Sequence, residues 1–73
     1  MSALRFSVVY ETATGSNWSA YVPDLPGCVS TGNTLDEVKR NIVEAVAGHL
    51  DIMREFGDPI PEPSTVVGFV DVA

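Results

Sequence analysis

Along the first part of the chain, hydrophobic and polar residues alternate with the two-residue period of a β-strand. In residues 4–11, LRFSVVYE, one face carries the apolar side chains Leu4, Phe6, Val8 and Tyr10. Residues 18–23, WSAYVP, continue the pattern, with one face formed by Trp18, Ala20 and Val22. Residues 27–31, GCVST, predict a short third strand. Because the segment 12–17, TATGSN, has the composition of a turn, the pattern indicates an antiparallel meander of three strands.

A helix is predicted directly after these strands. Thr34 and Glu37 have the T-x-x-E spacing of a capping box. In this motif the threonine hydroxyl accepts a hydrogen bond from the third helical N–H, and the glutamate carboxylate reaches back to the start of the helix. Apolar residues then recur at spacings of three and four, which form one helix face: Leu35, Val38, Ile42, Ala45, Val46, Leu50 and Met53. Gly57, followed by Asp58 and Pro59, predicts the end of the helix.

The C-terminal part of the chain predicts a stiff connector and a fourth strand. Residues 58–64, DPIPEPS, hold three prolines, and residues 65–72, TVVGFVDV, are the predicted strand. We therefore expect an α+β fold of order β-β-β-α-β, in which a right-handed crossover returns the last strand parallel to the first. The predicted four-stranded sheet has the order 3-2-1-4, with the helix on one face.

Such a sheet has a second face that no helix of this chain covers. Val9 and Tyr21 are predicted to lie on that face. Exposed apolar sheet surface usually marks an interface, so we predict a homodimer, or a partner protein, on this face.

Length and charge narrow the function further. The chain has 73 residues, enough for one small domain, residues 1–73, with a marginal core. Ten acidic and four basic residues give a formal charge of -6. This charge argues against direct binding to nucleic acid, because Lys and Arg are needed to replace phosphate counterions. It suits a neutral or basic partner.

The sequence also predicts where the protein works. No apolar run approaches the roughly 18 residues of a membrane span. The N-terminus becomes polar too soon for a signal peptide. We therefore expect a cytoplasmic protein without a membrane partner.

Nucleophiles and transition-metal ligands are scarce in the sequence. Cys28 is the only cysteine and His49 the only histidine, so neither a disulfide within the chain nor a transition-metal site is expected. A nucleophile activated by histidine would need His49, which lies in the middle of the predicted helix. We interpret Cys28 as a small core thiol and His49 as a helix-edge residue, and we predict no cofactor. The roles of both residues, and of Gly48, stay open.

A minimal metal-dependent nuclease is the enzymatic alternative. The predicted element order resembles the core of the ribonuclease H fold, whose two-metal chemistry needs several converging carboxylates. The inward positions of the first predicted strand carry none. Asp24 lies in a separate loop, and Asp36 and Glu37 lie at a helix start. The sequence therefore predicts neither a catalytic nor a metal site.

The segment YVPDLPGC, residues 21–28, joins the second and third predicted strands. Pro23 ends strand pairing and Pro26-Gly27 is a turn signal, which together predict a rigid turn. Asp24 can accept hydrogen bonds from backbone N–H groups within this turn, and Leu25 is either tucked under the loop or displayed to a partner. The alternative is a turn that is also a contact loop, with the partner-binding residues Pro23, Asp24, Leu25, Pro26 and Gly27.

These motifs carry a family resemblance. The block P-D-L-P-G-C, followed by G-x-T-x-x-E at residues 32–37 and a helix containing N-I-V-E-A-V, resembles the HicB-like antitoxin family. The resemblance runs from residue 4 to residue 72, and it implies a partial ribonuclease H-like fold without catalytic carboxylates. It therefore implies a protein that is not an enzyme.

The resemblance also implies a partner. HicB-like domains bind a small basic HicA-like toxin, which has a double-stranded-RNA-binding fold and cleaves mRNA, and they cover its catalytic site. An acidic antitoxin suits a basic toxin through electrostatic steering. Full-length family members often carry a C-terminal DNA-binding domain, for which this chain has no room, so direct DNA binding is not expected. A stand-alone structural or regulatory homodimer without a toxin is the alternative.

Overall fold

Three short strands and one long helix form the fold. The structure, a computed structural model, describes residues 4–73. Strand β1 spans Val9–Thr12, β2 spans Trp18–Tyr21, β3 spans Val29–Gly32, and helix α1 spans Leu35–Glu55. The strands pair in one antiparallel sheet of order β1-β2-β3, and α1 packs on β2 and β3. The predicted meander is confirmed, although pairing of the first strand begins at Val9 and not at Leu4.

The predicted fourth strand is wrong. Within residues 4–73 the order is β-β-β-α, with a sheet of three strands and no parallel strand beside β1, so the order 3-2-1-4 is also wrong. The α+β class is confirmed. Residues 65–72 have the composition of a strand, but a strand forms only where its N–H and C=O groups meet a partner. Here residues 65–72 pair with none of the three strands, and Phe69 is 94% exposed.

The threonine half of the predicted capping box is confirmed, and so is the predicted stop at Gly57. The Thr34 hydroxyl oxygen accepts a hydrogen bond from the Glu37 N–H at 3.1 Å, which satisfies one of the free donors of the first turn. At the other end, Gly57 has a φ of 71°, which favours glycine. The Asp58 N–H then donates to the Met53 carbonyl at 2.8 Å. These contacts fix the helix between the connector and β3.

The core lies between the sheet and α1. Its fully buried side chains are Ala20, Val22, Leu25, Cys28, Val38 and Ile42. The remaining residues of the predicted helix stripe pack against them, as do Phe6, Val8, Tyr10 and Trp18. The predicted inward faces are therefore confirmed except at Leu4, which is 45% exposed and does not pack against this core. Half of the buried set comes from residues 22–28, so the loop after β2 is part of the core.

Helix α1 approaches β3 very closely at its first turn. A Cβ atom on Gly32 would lie 2.7 Å from the Val38 nitrogen and 3.0 Å from the Val38 Cα, both of them backbone atoms. Farther along, the Asn41 side-chain amide donates to the Thr31 carbonyl at 2.9 Å. The glycine thus makes room for the helix, and the asparagine ties the helix to the strand.

Candidate functional site

The loop between β2 and β3 consists of two consecutive tight turns. The Leu25 N–H donates to the Val22 carbonyl at 3.0 Å, and the Cys28 N–H donates to the Leu25 carbonyl at 3.0 Å. A third bond, from the Val22 N–H to the Cys28 carbonyl at 3.1 Å, closes the loop. Pro23 and Pro26 each occupy the second position of a turn, where proline's fixed φ fits and no N–H is needed. The loop is therefore a rigid unit.

The second turn depends on its glycine. Gly27 follows Pro26 and has a φ of 83°. Proline followed by a residue with positive φ is the signature of a type II turn, in which glycine is favoured because it has no Cβ. The spacing P-x-x-P-G thus sets the geometry of the whole loop.

Leu25 points into the core. It is the residue that the two turns share, and its exposed fraction is 0%. The sequence left open whether this side chain lies under the loop or is displayed to a partner. In the structure it lies under the loop. The exposed residues of the loop are Pro23, Pro26 and Gly27.

Asp24 binds a distant part of the chain. Its Oδ2 accepts hydrogen bonds from the N–H groups of Ser64 and Thr65, each at 3.1 Å. Its Oδ1 accepts from the Ser64 hydroxyl at 3.0 Å and from the Thr65 hydroxyl at 2.9 Å. We call these four bonds the Asp24 clamp. They fasten the connector after α1 to the loop, whereas the sequence suggested bonds within the turn.

The clamp stabilises the charged form of the carboxylate. The backbone N–H groups of Thr65 and Ser64 hold the pKa of Asp24 below its ordinary value of 3.8, because donors aimed at a carboxylate favour its ionised state. The stabilisation is therefore complete above the ordinary pKa and is lost as the pH falls through the lowered pKa of the folded state.

We expect Asp24→Asn to unfold at a lower urea concentration than the wild type at pH 7, because the amide places an NH₂ group against donors. The difference should stay constant from neutral pH down to the ordinary carboxyl pKa and shrink below it, as the wild-type carboxylate becomes protonated. Urea midpoints measured across this pH range test the prediction. Asp58→Asn, which changes an exposed carboxylate outside the clamp, is the matched control and should leave the midpoint unchanged. A difference that persists unchanged at the lowest pH would contradict the clamp.

The face of the sheet opposite α1 carries a row of apolar side chains. Val9 pairs with Tyr21, and Tyr21 pairs with Val29, so the three side chains lie side by side on this face. Tyr21 is 40% exposed and Val29 is 64% exposed. The sequence singled out Val9 and Tyr21 as interface residues; Val29, on the same face, was missed, although the alternation of the third strand could have revealed it.

The candidate nucleophile Cys28 is buried among apolar side chains. It is 3% exposed, and burial raises the pKa of its thiol, which keeps the sulfur protonated and weakly nucleophilic. His49 lies half-buried on α1. The structure assigns Cys28 to the core, as the sequence suggested.

Two further properties concern ligands and membranes. Among residues 4–73, no group of three or more His, Cys, Asp or Glu side chains is arranged to hold a metal ion. In the same part of the chain, no helix combines the length and hydrophobicity needed to cross a bilayer.

Comparison with known sequences places these features in a family. Residues 6–72 match a protein family described as "HicB_like antitoxin of bacterial toxin-antitoxin system". The chain belongs to this HicB-like antitoxin family. The match includes the 22–28 loop, α1 and the segment that holds Ser64 and Thr65, so both sides of the Asp24 clamp lie within it.

Individual relatives come from a phage, a cyanobacterium and an archaeon. An uncharacterized 14.9 kDa protein of Haemophilus phage HP1 is 36% identical over 50 residues, which cover 68% of this chain and 38% of the phage protein. A UPF0150 protein of Synechocystis is 29% identical over 63 residues, covering 86% of this chain and 80% of that protein. A UPF0150 protein of Archaeoglobus fulgidus is 29% identical over 55 residues, covering 75% and 80%. The HicB-like chain thus corresponds to less than half of the phage protein and to most of the other two.

Proposed function

We propose that this HicB-like chain is a non-catalytic antitoxin that binds and blocks a small basic, mRNA-cleaving toxin of the HicA type. The observation that carries the proposal is the family match over residues 6–72. The two side chains considered for catalysis have structural roles in the fold. Asp24 is held by four hydrogen bonds, and Cys28 is buried. Neither presents a free reactive group at the surface.

The charge of the protein supports a basic partner. The formal charge is -6, and acidic side chains on α1 and beyond it are exposed: Asp36, Glu44, Asp51, Glu55, Asp58 and Glu62. Complementary charges accelerate the encounter of two proteins, and salt screens them over about 10 Å at 0.1 M ionic strength. The association rate with the toxin should therefore fall as salt is added.

The 22–28 loop is the proposed contact with the toxin. Some of its residues form the contact surface, and others hold that surface in place. Pro23, Pro26 and Gly27 are exposed and form the surface that the toxin would touch. Leu25 supports that surface from beneath, because its side chain is buried in the core. Asp24 supports it from the side, through the clamp. A preformed loop loses little conformational entropy on binding, which favours its use as a recognition element.

We expect a HicA-like toxin encoded beside the antitoxin to bind it at micromolar concentration or tighter, as measured by isothermal titration calorimetry. Pro26→Lys should weaken binding by about 10-fold or more, because it sets a positive charge against a basic partner. Pro59→Lys is the matched control, since it adds the same charge at another exposed proline. It should change the affinity by less than about 3-fold.

Two results would count against this proposal. If both folded proteins are mixed and no heat of binding is seen, the antitoxin role is wrong. If Pro26→Lys and Pro59→Lys bind equally well, the toxin contacts another surface. Melting curves of both variants establish that they remain folded.

A stand-alone homodimer without a toxin is the second candidate function. The observation that favours it is the row formed by Val9, Tyr21 and Val29 on the sheet face that α1 does not cover. Two such rows packed against each other would remove apolar surface from water in both copies.

A further inference from the structure

The chain ends in an exposed apolar segment. We define the C-terminal arm as residues 66–72, VVGFVDV, in which Asp71 is the single charged residue. Its apolar side chains are between 58% and 94% exposed: Val66, Val67, Phe69, Val70 and Val72. A run of β-branched and aromatic residues with little charge is prone to pair with another chain when it is left in water. Within residues 4–73, a single copy leaves these side chains uncovered.

The base of the arm is fixed to the body of the protein. Ser64 and Thr65 are held by the Asp24 clamp, and the Ser7 hydroxyl donates to the Thr65 carbonyl at 3.0 Å. Thr65 thus lies beside the residues that lead into β1. From this point the arm departs, and it contributes to a molecule 45 Å long with a radius of gyration of 14.0 Å. A compact chain of this length would have a radius of gyration of roughly 11 Å.

An apolar groove is lined in part by Phe6 and Val8, the chain neighbours of the Ser7 that binds Thr65. It has a volume of about 220 Å³, and it is formed by the segment leading into β1 and by α1, with the lining residues Leu4, Phe6, Val8, Tyr10, Ile42, Val43 and Val46. Strand β1 is an edge strand, because within residues 4–73 it pairs with β2 alone. Its free edge offers unpaired N–H and C=O groups next to the groove.

We propose that two copies of the protein exchange their C-terminal arms, so that each arm lies in the groove of the other copy. The sheet of each chain keeps its own three strands, and the arm is contributed by the second copy. This inference does not depend on toxin binding. It is an alternative to the homodimer that packs through the row on the open sheet face.

The shape of the arm suits this position. In an extended arm, Val67 and Phe69 point to one side, and Val66 and Val70 point to the other. One side can fill the groove, while the backbone meets the free edge of β1. Seven extended residues span at most about 25 Å, which is enough to follow β1 and the residues before it.

A second copy of the protein is a better occupant of the groove than another partner, because two copies can each give an arm and receive one. Every copy carries both an arm, which follows Thr65, and a groove, whose residues Phe6 and Val8 flank the Ser7 bonded to Thr65, so a two-fold axis can satisfy both pairs at once. Four valines and one phenylalanine from each arm, with the groove surface they cover, amount to an interface on the order of 1,000 to 2,000 Å². That is the size of a stable dimer interface.

The mass of the protein in solution tests the exchange. By analytical ultracentrifugation at high micromolar concentration, we expect the wild type to be a dimer. Phe69→Asp in the arm and Val43→Asp in the groove should each raise the dissociation constant at least about 100-fold, because each would bury an unpaired carboxylate. Both positions are exposed in the single copy, at 94% and 66%, so these variants should still fold.

Ile52→Asp is the matched control on the same helix. Ile52 is 57% exposed and lies on the opposite side of α1 from Val43, because nine positions make about two and a half helical turns. This variant should stay dimeric. A monomeric wild type would overturn the exchange, and so would a dimer that survives both Phe69→Asp and Val43→Asp. If Tyr21→Asp alone abolishes the dimer, the exchange is wrong and the sheet-face homodimer stands.

Cross-linking identifies which chain fills the groove. Chains carrying Val43→Cys and chains carrying Phe69→Cys, with tags of different length, are mixed and oxidised. We expect a disulfide between the two kinds of chain, while native Cys28 is buried and does not react. In a single chain that carries both substitutions, a ring closed within one chain, with no dimer, would show that the arm folds back on its own groove and would overturn the proposal.

Discussion

Replacing Leu25 by alanine is expected to remove most of the stability of this protein. The side chain is 0% exposed and is one of the largest in the core. Truncating a fully buried leucine costs about 2 to 5 kcal/mol, because the lost contacts leave a cavity that the surroundings fill only in part. A domain of this size has a total stability of roughly 4 to 11 kcal/mol. Urea denaturation should therefore show a greatly lowered midpoint or a chain that is already unfolded.

Ile52→Ala is the matched control for this experiment. Ile52 is 57% exposed and lies outside the groove, and its truncation should cost less than about 1 kcal/mol. Leu25→Met, which nearly conserves volume, should retain most of the stability, at a cost of under about 1.5 kcal/mol. If Leu25→Ala unfolds at the wild-type urea concentration, the loop is not part of the core.

The result bears on how binding data are interpreted. A Leu25→Ala protein that fails to bind a toxin would have lost its fold, and the failure would not identify Leu25 as a contact. Substitutions at the exposed Pro26 test contact without emptying the core.

The substitution Gly32→Ala should be nearly as damaging, although it adds only one methyl group. The new Cβ would lie 2.7 Å from the Val38 nitrogen, and backbone atoms cannot move aside as a flexible side chain does. The first turn of α1 must then separate from β3, which should cost about 2 to 3 kcal/mol. In a domain of this size, that lowers the melting temperature by roughly 8 to 24 °C, measurable by calorimetry.

Gly48→Ala is the control with the opposite expected sign. Gly48 lies inside α1, and a Cβ added there meets nothing within 4 Å. Alanine should raise stability by about 0.5 to 1 kcal/mol through its higher helix propensity. Equal destabilisation by both substitutions would show that glycine at Gly32 does not serve close packing.

Local patterns predicted most of the fold correctly. The T-x-x-E signal located the start of α1, and the apolar stripe named the side chains that pack against the sheet. These predictions succeeded because capping and helix periodicity involve residues within one or two turns of each other. The meander succeeded for the same reason, since its strands are joined by short connections.

The candidate loop was predicted in part. Its two prolines and its glycine indicated a rigid turn, and the hydrogen bonds between Val22, Leu25 and Cys28 agree with that. The direction of the Leu25 side chain stayed open, because a turn sequence does not say which side faces the core. The partners of Asp24 were missed, because Ser64 and Thr65 lie some 40 positions away and carry no local signal.

The sequence by itself determined the helix, the meander, the rigid loop and the family, because each depends on residues that are near neighbours or on a contiguous motif. Only the tertiary structure decided that Leu25 is core, that Asp24 clamps Ser64 and Thr65, and that residues 65–72 form no strand in the chain's own sheet. Strand composition indicates that a segment can pair. Pairing itself requires a partner strand, and only the tertiary structure shows that residues 65–72 meet none in the sheet formed by the described residues.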